Sequence, residues 1–466
     1  MVFSSLAFVL LFLPIFILSY WCFPRNITLL IFSVIFYCFY DLNLLPVLLV
    51  TLVFAYCFGL VIQKFKEKKY LILGLGINFG LLIYFKYFEF LLDTFRTMFS
   101  SLEDFGPAEI ALPLGISFFT FQAASYLVDI YVGRVEAQKN FLLFATYKLS
   151  FPQLIAGPIV RYEEVKDSLI KRTISLTQIN AGLKIFIIGL SYKVLLANPL
   201  SESSDLAFGS DPTYLSISAA WLGAISYTFQ LYFDFAGYSL MAIGLGKIMG
   251  FKYPDNFNLP YSAKSVTDFW KRWHMSLSRW FRDYLYIPLG GNRRTPRRTY
   301  INLGIVFILC GLWHGAAFTF IFWGAYHGSF LIFERLGMLN IGILRFNTVR
   351  QIYTWLIIII GWVIFRSNDL YQAENYIKSL FGLNKNQGLL DFQSEFNVYT
   401  VFFILIAFLV STGFGGRLVG SVLLHGRLNK LKGSQVITNL AMGILYMTCV
   451  MFLISNNSNP FIYFRF

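Results

Sequence analysis

The stretch at 308–328, ILCGLWHGAAFTFIFWGAYHG, is an apolar run of membrane type with His314 near its middle and His327 near its end. Ionisable side chains are costly in hydrocarbon, and where they occur they mark functional sites. The chain has four histidines in all, so two in one apolar run ask for an explanation. The surrounding block 300–333 begins after Arg293, Arg294, Arg297 and Arg298 and is followed by Arg335, Arg345 and Arg350. Both flanks read as cytoplasmic by the positive-inside rule. The block is therefore expected to enter the membrane and return. Its first leg, Tyr300–Trp313, would extend about 21 Å as a helix. That falls short of a hydrocarbon layer roughly 30 Å thick, and it puts His314 at the turn. A single strongly tilted helix is the rival arrangement.

The rest of the chain agrees with a membrane setting. It has 466 residues, 57% hydrophobic and 13% charged, with a mean hydropathy of +0.62. A soluble protein carries roughly twice that charged fraction. The expected fold class is an all-α polytopic membrane protein. The apolar segment Met1–Tyr20 lacks a positive n-region and a small-residue cleavage site, and reads as a retained first span. The net charge of +14 sits in loops, where Lys and Arg set topology and meet anionic lipid headgroups. A nucleic-acid partner is not expected. Cys22, Cys38, Cys57, Cys310 and Cys449 are scattered and show neither metal spacing nor a disulfide framework.

A span takes about 20 apolar residues. Candidates besides the 300–333 block are 3–22, 27–40, 44–62, 71–92, 110–130, 182–200, 215–246, 352–366, 398–414 and 437–455. Loop charges alternate between them. Lys64, Lys66, Lys68 and Lys69 read as cytoplasmic, and so does 134–172 with its seven Lys and Arg residues. The 93–109 loop, with Asp93, Glu103, Asp104 and Glu109, reads as external, as does 201–213 with Glu202, Asp205 and Asp211. This parity puts the N-terminus outside. Segment 139–162, KNFLLFATYKLSFPQLIAGPIVRY, is apolar but broken by Lys148, Pro152, Gly157 and Pro158. Pro and Gly break helices, and broken backbone at membrane depth needs protein or a cavity around it. The segment reads as a re-entrant or interfacial element on the cytoplasmic side. Residues 367–397 form the largest polar excursion and read as external.

A second cluster lies at 268–294, DFWKRWHMSLSRWFRDYLYIPLGGNRR. Phe269, Trp270, Trp273, Trp280 and Phe281 alternate with Lys271, Arg272, Arg279 and Arg282, and His274 sits among them. One reading is an interfacial amphipathic helix. The other is a vestibule for an anionic donor, since Arg pairs with phosphate and Trp faces stack on a planar base. A coenzyme-A thioester suits both features.

His314 lies between Trp313 and Gly315 and follows Gly311. Glycine allows a turn and close approach of a substrate. A buried imidazole stays neutral and can accept a proton from a hydroxyl, as acyl transfer to an alcohol requires. The alternative is a histidine bonded to a neighbouring helix. His327, about 19 Å further along a helix, reads as structural. A metal site from Cys310, His314 and His327 lacks a carboxylate or second cysteine nearby. Neither G-x-S-x-G, a P-loop nor H-E-x-x-H is present. Tyr126, Asp129 and Tyr131 end a span, either as an entrance lining or as an anchor.

FWKRWHMSLSRWFRDYLYIPLGGNR at 269–293 and GLWHGAAFTFIFWGAYHG at 311–328 resemble the membrane-bound O-acyltransferase (MBOAT) family. More narrowly, they resemble its alginate and peptidoglycan O-acetyltransferase branch, with the teichoic-acid D-alanyl transfer protein as a cousin. The likeness extends through ALPLGISFFTFQAASYLVDIY at 111–131, FPQLIAGPIVRY at 151–162, YFDFAGYSLMAIGLGKIMG at 232–250 and NPFIYFRF at the end. It implies one membrane domain over residues 1–466, with core motifs at 111–335 and peripheral spans at 1–92 and 350–466. It further implies about eleven membrane helices, with re-entrant elements around a central funnel. His314 would be the catalytic histidine and His274 a second one. Trp270, Trp273, Arg279, Arg282, Asp283 and Trp313 would shape the donor path. The implied donor is acetyl-CoA, with no permanently bound cofactor and no metal. The implied acceptor is an extracytoplasmic partner protein serving a polysaccharide, at a bacterial cytoplasmic membrane. D-alanyl transfer, longer-chain acylation and transport are the alternatives. A transporter should show inverted repeats, and none is apparent.

Overall fold

The computed structural model describes residues 2–40, 42–99, 110–386, 388, 398–414 and 434–455. Helices account for nearly all regular structure there, and no strand is formed among the described residues. Every candidate span coincides with a helix. These are α1 (Ala7–Cys22), α2 (Arg25–Cys38), α3 (Leu45–Phe65), α4 (Lys68–Met98) and α5 (Ile116–Val132). After the short helices α6 (Phe141–Leu149), α7 (Phe151–Leu154) and α8 (Tyr162–Ile170) comes α9 (Leu176–Gly209). Next are α10 (Ile217–Ile248), α11 (Val266–Arg272), α12 (Met275–Phe281), α13 (Pro296–His314) and α14 (Phe318–Arg335). The last described helices are α15 (Asn347–Arg366), α16 (Leu370–Leu380), α17 (Val398–Ser411) and α18 (Gln435–Ser455). Helices α3, α4, α9, α15 and α18 are long and apolar enough to cross a membrane, and α1, α2, α5 and α17 are shorter apolar helices. The chain is a multi-pass membrane protein. Glu103, Asp104 and Glu109 of the acidic loop, residues 387 and 389–397 of the 367–397 excursion and the C-terminal NPFIYFRF lie outside the described residues.

The described chain packs as two compact units, residues 1–186 with 239–254, and residues 187–238 with 255–466. The first holds the broken segment 139–162. Ser150, Pro152 and Gly157 cut it into α6 and α7, helices of nine and four residues that are too short to cross. Lys148 is fully buried there, and its ammonium group donates to the Phe119 carbonyl while lying 5.5 Å from the Phe119 ring centroid. Such burial of broken backbone under other helices is the condition set by a membrane interior.

The second unit holds the 300–333 block, which is a helical hairpin rather than one tilted helix. Helix α13 ends at His314, the backbone is extended at Gly315 and Ala317, and α14 starts at Phe318. The first leg is longer than expected. Thr295 caps it, its hydroxyl accepting from the Arg298 amide, and Pro296 opens it, so the helix begins four residues before Tyr300. Its 19 residues extend about 28 Å, close to the hydrocarbon thickness, so the leg is not the clearly short one that the sequence suggests. The two legs pack backbone to backbone. A Cβ on Gly311 would collide with the Phe320 carbonyl, and one on Gly324 with the Phe307 carbonyl. Small residues at such crossings let membrane helices approach closely.

Candidate active site

The 268–294 cluster is not a single amphipathic helix. It breaks at Trp273–His274 into α11 and α12, followed by one π-turn at Arg282–Tyr286. Its aromatic rings turn inward, since Phe269, Trp270, Trp273, Trp280 and Phe281 are all buried. They pack on one another and on neighbouring helices. The Trp273 ring lies 4.9 Å from Trp362, and the Trp270 ring 5.4 Å from Trp323. Burial of this much aromatic surface, rather than a place at the lipid interface, fixes the two short helices. The start of α11 is held from α14. The Glu334 carboxylate accepts from the amides of Val266 at 2.6 Å and Thr267 at 2.9 Å, and from the Thr267 hydroxyl at 2.6 Å.

The break places His274 at the start of α12 with φ 43°, in the left-handed region that a residue with a side chain seldom adopts. Asn256 holds it there. Its backbone carbonyl accepts from the Met275 amide at 2.9 Å. Its side-chain oxygen accepts from the Ser276 amide at 3.2 Å and the Ser276 hydroxyl at 2.8 Å, and lies 3.0 Å from His274 Nδ1.

His274 and His314 line one cavity of about 230 Å³, together with Trp270, Trp273, Cys310 and Arg282. Both histidines are buried. The Trp313 ring lies 5.9 Å from that of His274 and 4.9 Å from that of His314. On its other sides, His314 meets Trp323 at 5.3 Å and Phe365 at 5.1 Å, and His274 meets Phe235 at 4.7 Å. A buried pair of imidazoles in a mostly apolar surround can exchange a proton with a group that enters the cavity.

Of the remaining residues singled out in the sequence, Trp313 is buried beside the histidines, and Arg279 is half-buried on α12. Asp283 pairs with Arg282, whose Nε donates to Oδ1 at 2.7 Å and Nη2 to Oδ2 at 3.3 Å. The Arg282 charge at the cavity is thus already offset by a carboxylate. His327 is absent from the cavity lining and sits among the rings of Trp270, Trp323 and Tyr326, each 5.1 Å away, with Gly361 against its ring. This is packing, in line with its structural reading. Sequence reasoning passed over Asn256, Ser276 and Phe365. Asn256 lies in NFNLPY, where neither residue type nor spacing signals a role.

Residues 108–371, more than half of the chain, match the family described as MBOAT, membrane-bound O-acyltransferase. The chain is 38% identical to the probable alginate O-acetylase AlgI of Pseudomonas putida, with all of both chains covered. It is 38% identical to the peptidoglycan O-acetyltransferase of Helicobacter pylori, covering 82% of this chain and 80% of that one. The teichoic acid D-alanyltransferase of Bacillus subtilis is 34% identical over 46% of this chain and 56% of its own. With two buried histidines at one cavity and this extent of similarity, the chain belongs to the membrane-bound O-acyltransferase family and is an acyltransferase.

Proposed function

We propose that this protein takes an acetyl group from acetyl-CoA on the cytoplasmic side of a bacterial inner membrane and passes it outward for O-acetylation of an extracytoplasmic polysaccharide. His314 is the catalytic histidine, either as general base on the accepting hydroxyl or as transient carrier of the acyl group. His274 is its companion. Trp270, Trp273, Trp313, Arg279, Arg282 and Asp283 form the donor path, and a separate extracytoplasmic protein receives the group.

The observation that carries this reading is the shared cavity of His274 and His314. Its volume of about 230 Å³ is small beside the roughly 300–1,000 Å³ of pockets for drug-sized ligands. A short acyl group with the end of a thioester arm suits it better than a long fatty chain. Acetyl is favoured over D-alanyl by the relatives, because the two O-acetylating ones align over far more of this chain than the D-alanyltransferase does. The test is transfer or hydrolysis from labelled acetyl-CoA by the purified protein in lipid. Acetyl turnover in the wild type and its loss in a folded His314→Ala variant are the expected results. Full turnover in that variant overturns the catalytic assignment, and no turnover of acetyl-CoA by the wild type overturns the donor.

A further inference from the structure

We propose that Asn256 is a positioning residue of this site, and that its side-chain carbonyl locks His274 as the Nδ1–H tautomer so that Nε2 is presented as a proton acceptor. The argument begins with the Ser276 amide. A backbone N–H can only donate, and it lies 3.2 Å from Asn256 Oδ1. That contact fixes which end of the Asn256 amide faces the helix start, since the flipped amide would set two donors against each other. The Ser276 hydroxyl, 2.8 Å from the same oxygen, is satisfied by the same orientation. Asn256 Oδ1 is an acceptor only, so His274 Nδ1, 3.0 Å away, must carry the hydrogen of that bond.

In the neutral ring the lone pair is then on Nε2. That nitrogen is buried and has no hydrogen-bond partner among the described residues, while His274 lines the cavity. A buried acceptor left without a partner costs free energy. Its retention beside a second cavity histidine suits a group that receives a proton from a ligand. The left-handed backbone at His274 adds to the case. Strain of about 1–3 kcal/mol at such a position persists only where its surroundings over-determine it, and the four hydrogen bonds that residues 274–276 make to Asn256 do so.

The chemical role rests on the acyl transfer proposed above; the tautomer does not. If His314 carries the acyl group as an N-acylimidazolium, the acceptor's hydroxyl oxygen bonds to the acyl carbon, the carbon–nitrogen bond breaks, and its electron pair returns to His314, which leaves as neutral imidazole. The hydroxyl proton passes to His274 Nε2.

The decisive measurement is nitrogen-15 NMR of the full-length protein labelled at its four histidines. The His274 signals are assigned by their loss in His274→Asn or, if that variant does not accumulate, by elimination with variants at the other three. The expected spectrum has His274 protonated at Nδ1 and bare at Nε2. The opposite tautomer, or an even mixture, overturns the proposal. Two variants then test positioning. Asn256→Asp keeps an oxygen acceptor and should retain both the tautomer and at least a tenth of the turnover. Asn256→Leu should release the ring to a tautomer mixture and lower kcat about 10- to 100-fold with little change in KM. If Asn256→Leu fails to fold, the Asp variant decides: loss of the Nδ1–H signature in it sinks the proposal. A wild type with the expected tautomer but no acyl turnover would refute the proposed function and leave the positioning of His274 standing.

Discussion

His274 and His314 reach one cavity from different helices, and the Trp313 ring touches both, 5.9 Å from the first and 4.9 Å from the second. Groups that act on one proton and one acyl carbon behave as a unit, and their losses do not add. His314→Ala and His274→Ala should each lower kcat by about 10²-fold or more. The double variant should fall no further than the worse single. Turnover of acetyl-CoA in matched detergent preparations, with folding checked by thermal unfolding, measures this. Multiplying losses would mean that the two histidines serve separate steps.

The cavity wall should set acyl length. Leu303, Val306 and Cys310 line it from α13, and Val306 offers a purely apolar truncation. Val306→Ala removes two methyl carbons, which leaves room for the one extra methylene of a propionyl group, and one methylene in an apolar pocket is worth about 1–3 kcal/mol of discrimination. The propionyl-to-acetyl ratio of kcat/KM should therefore rise about tenfold or more. An unchanged ratio would place the acyl group outside this cavity.

Much of the fold was legible because membrane spans announce themselves by length and hydropathy. The hairpin at 300–333 followed from arginines on both flanks, and α13 and α14 form it. The start of α13 was missed by four residues because a Thr295 cap and Pro296 outweigh the polarity of Arg297 and Arg298 at a helix start. Composition leaves two arrangements open at 268–294. Alternating aromatic and basic residues look alike on an interfacial helix and in a broken segment with buried rings. Only the packing of Trp270 and Trp273 on Trp323 and Trp362 separates the two. Both cavity histidines were visible as rare ionisable groups. Asn256 was not, since its part depends on a backbone bend that the sequence does not advertise.

The hairpin's glycine contacts should be intolerant of any side chain. At Gly311 and Gly324 an added methyl meets backbone carbonyl oxygen, which cannot swing aside as a flexible side chain would. Overpacking of this kind costs about 1–3 kcal/mol. Gly311→Ala and Gly324→Ala should each lower the unfolding temperature in detergent. Gly311→Ala should also reduce turnover, because the residue lies on α13 one turn before His314. Gly304→Ala, where an added methyl meets nothing within 4 Å, is the control and should be neutral.

Lys193 on α9 and Asp234 on α10 form a buried ion pair at 2.8 Å, inside segments that the sequence reads as spans. A charge at such depth is tolerable when paired, and removing one partner strands the other at a cost of about 3–5 kcal/mol. Replacing both by apolar residues of similar volume removes the stranded charge and recovers much of the loss. Lys193→Met and Asp234→Leu should therefore each lower the yield of folded protein and its unfolding temperature. The double variant should lie closer to wild type than either single. If the pair also matters for transfer, the double variant will be stable and inactive. If its role is confined to holding α9 against α10, stability and turnover will recover together. Single variants as stable as wild type would mean that the pair contributes nothing to the fold. Asp234 is flanked by Phe233 and Phe235, and Phe235 is the residue whose ring lies 4.7 Å from that of His274. A shift of α10 after loss of the pair should therefore reach the cavity, which makes turnover at permissive temperature the more sensitive of the two measurements.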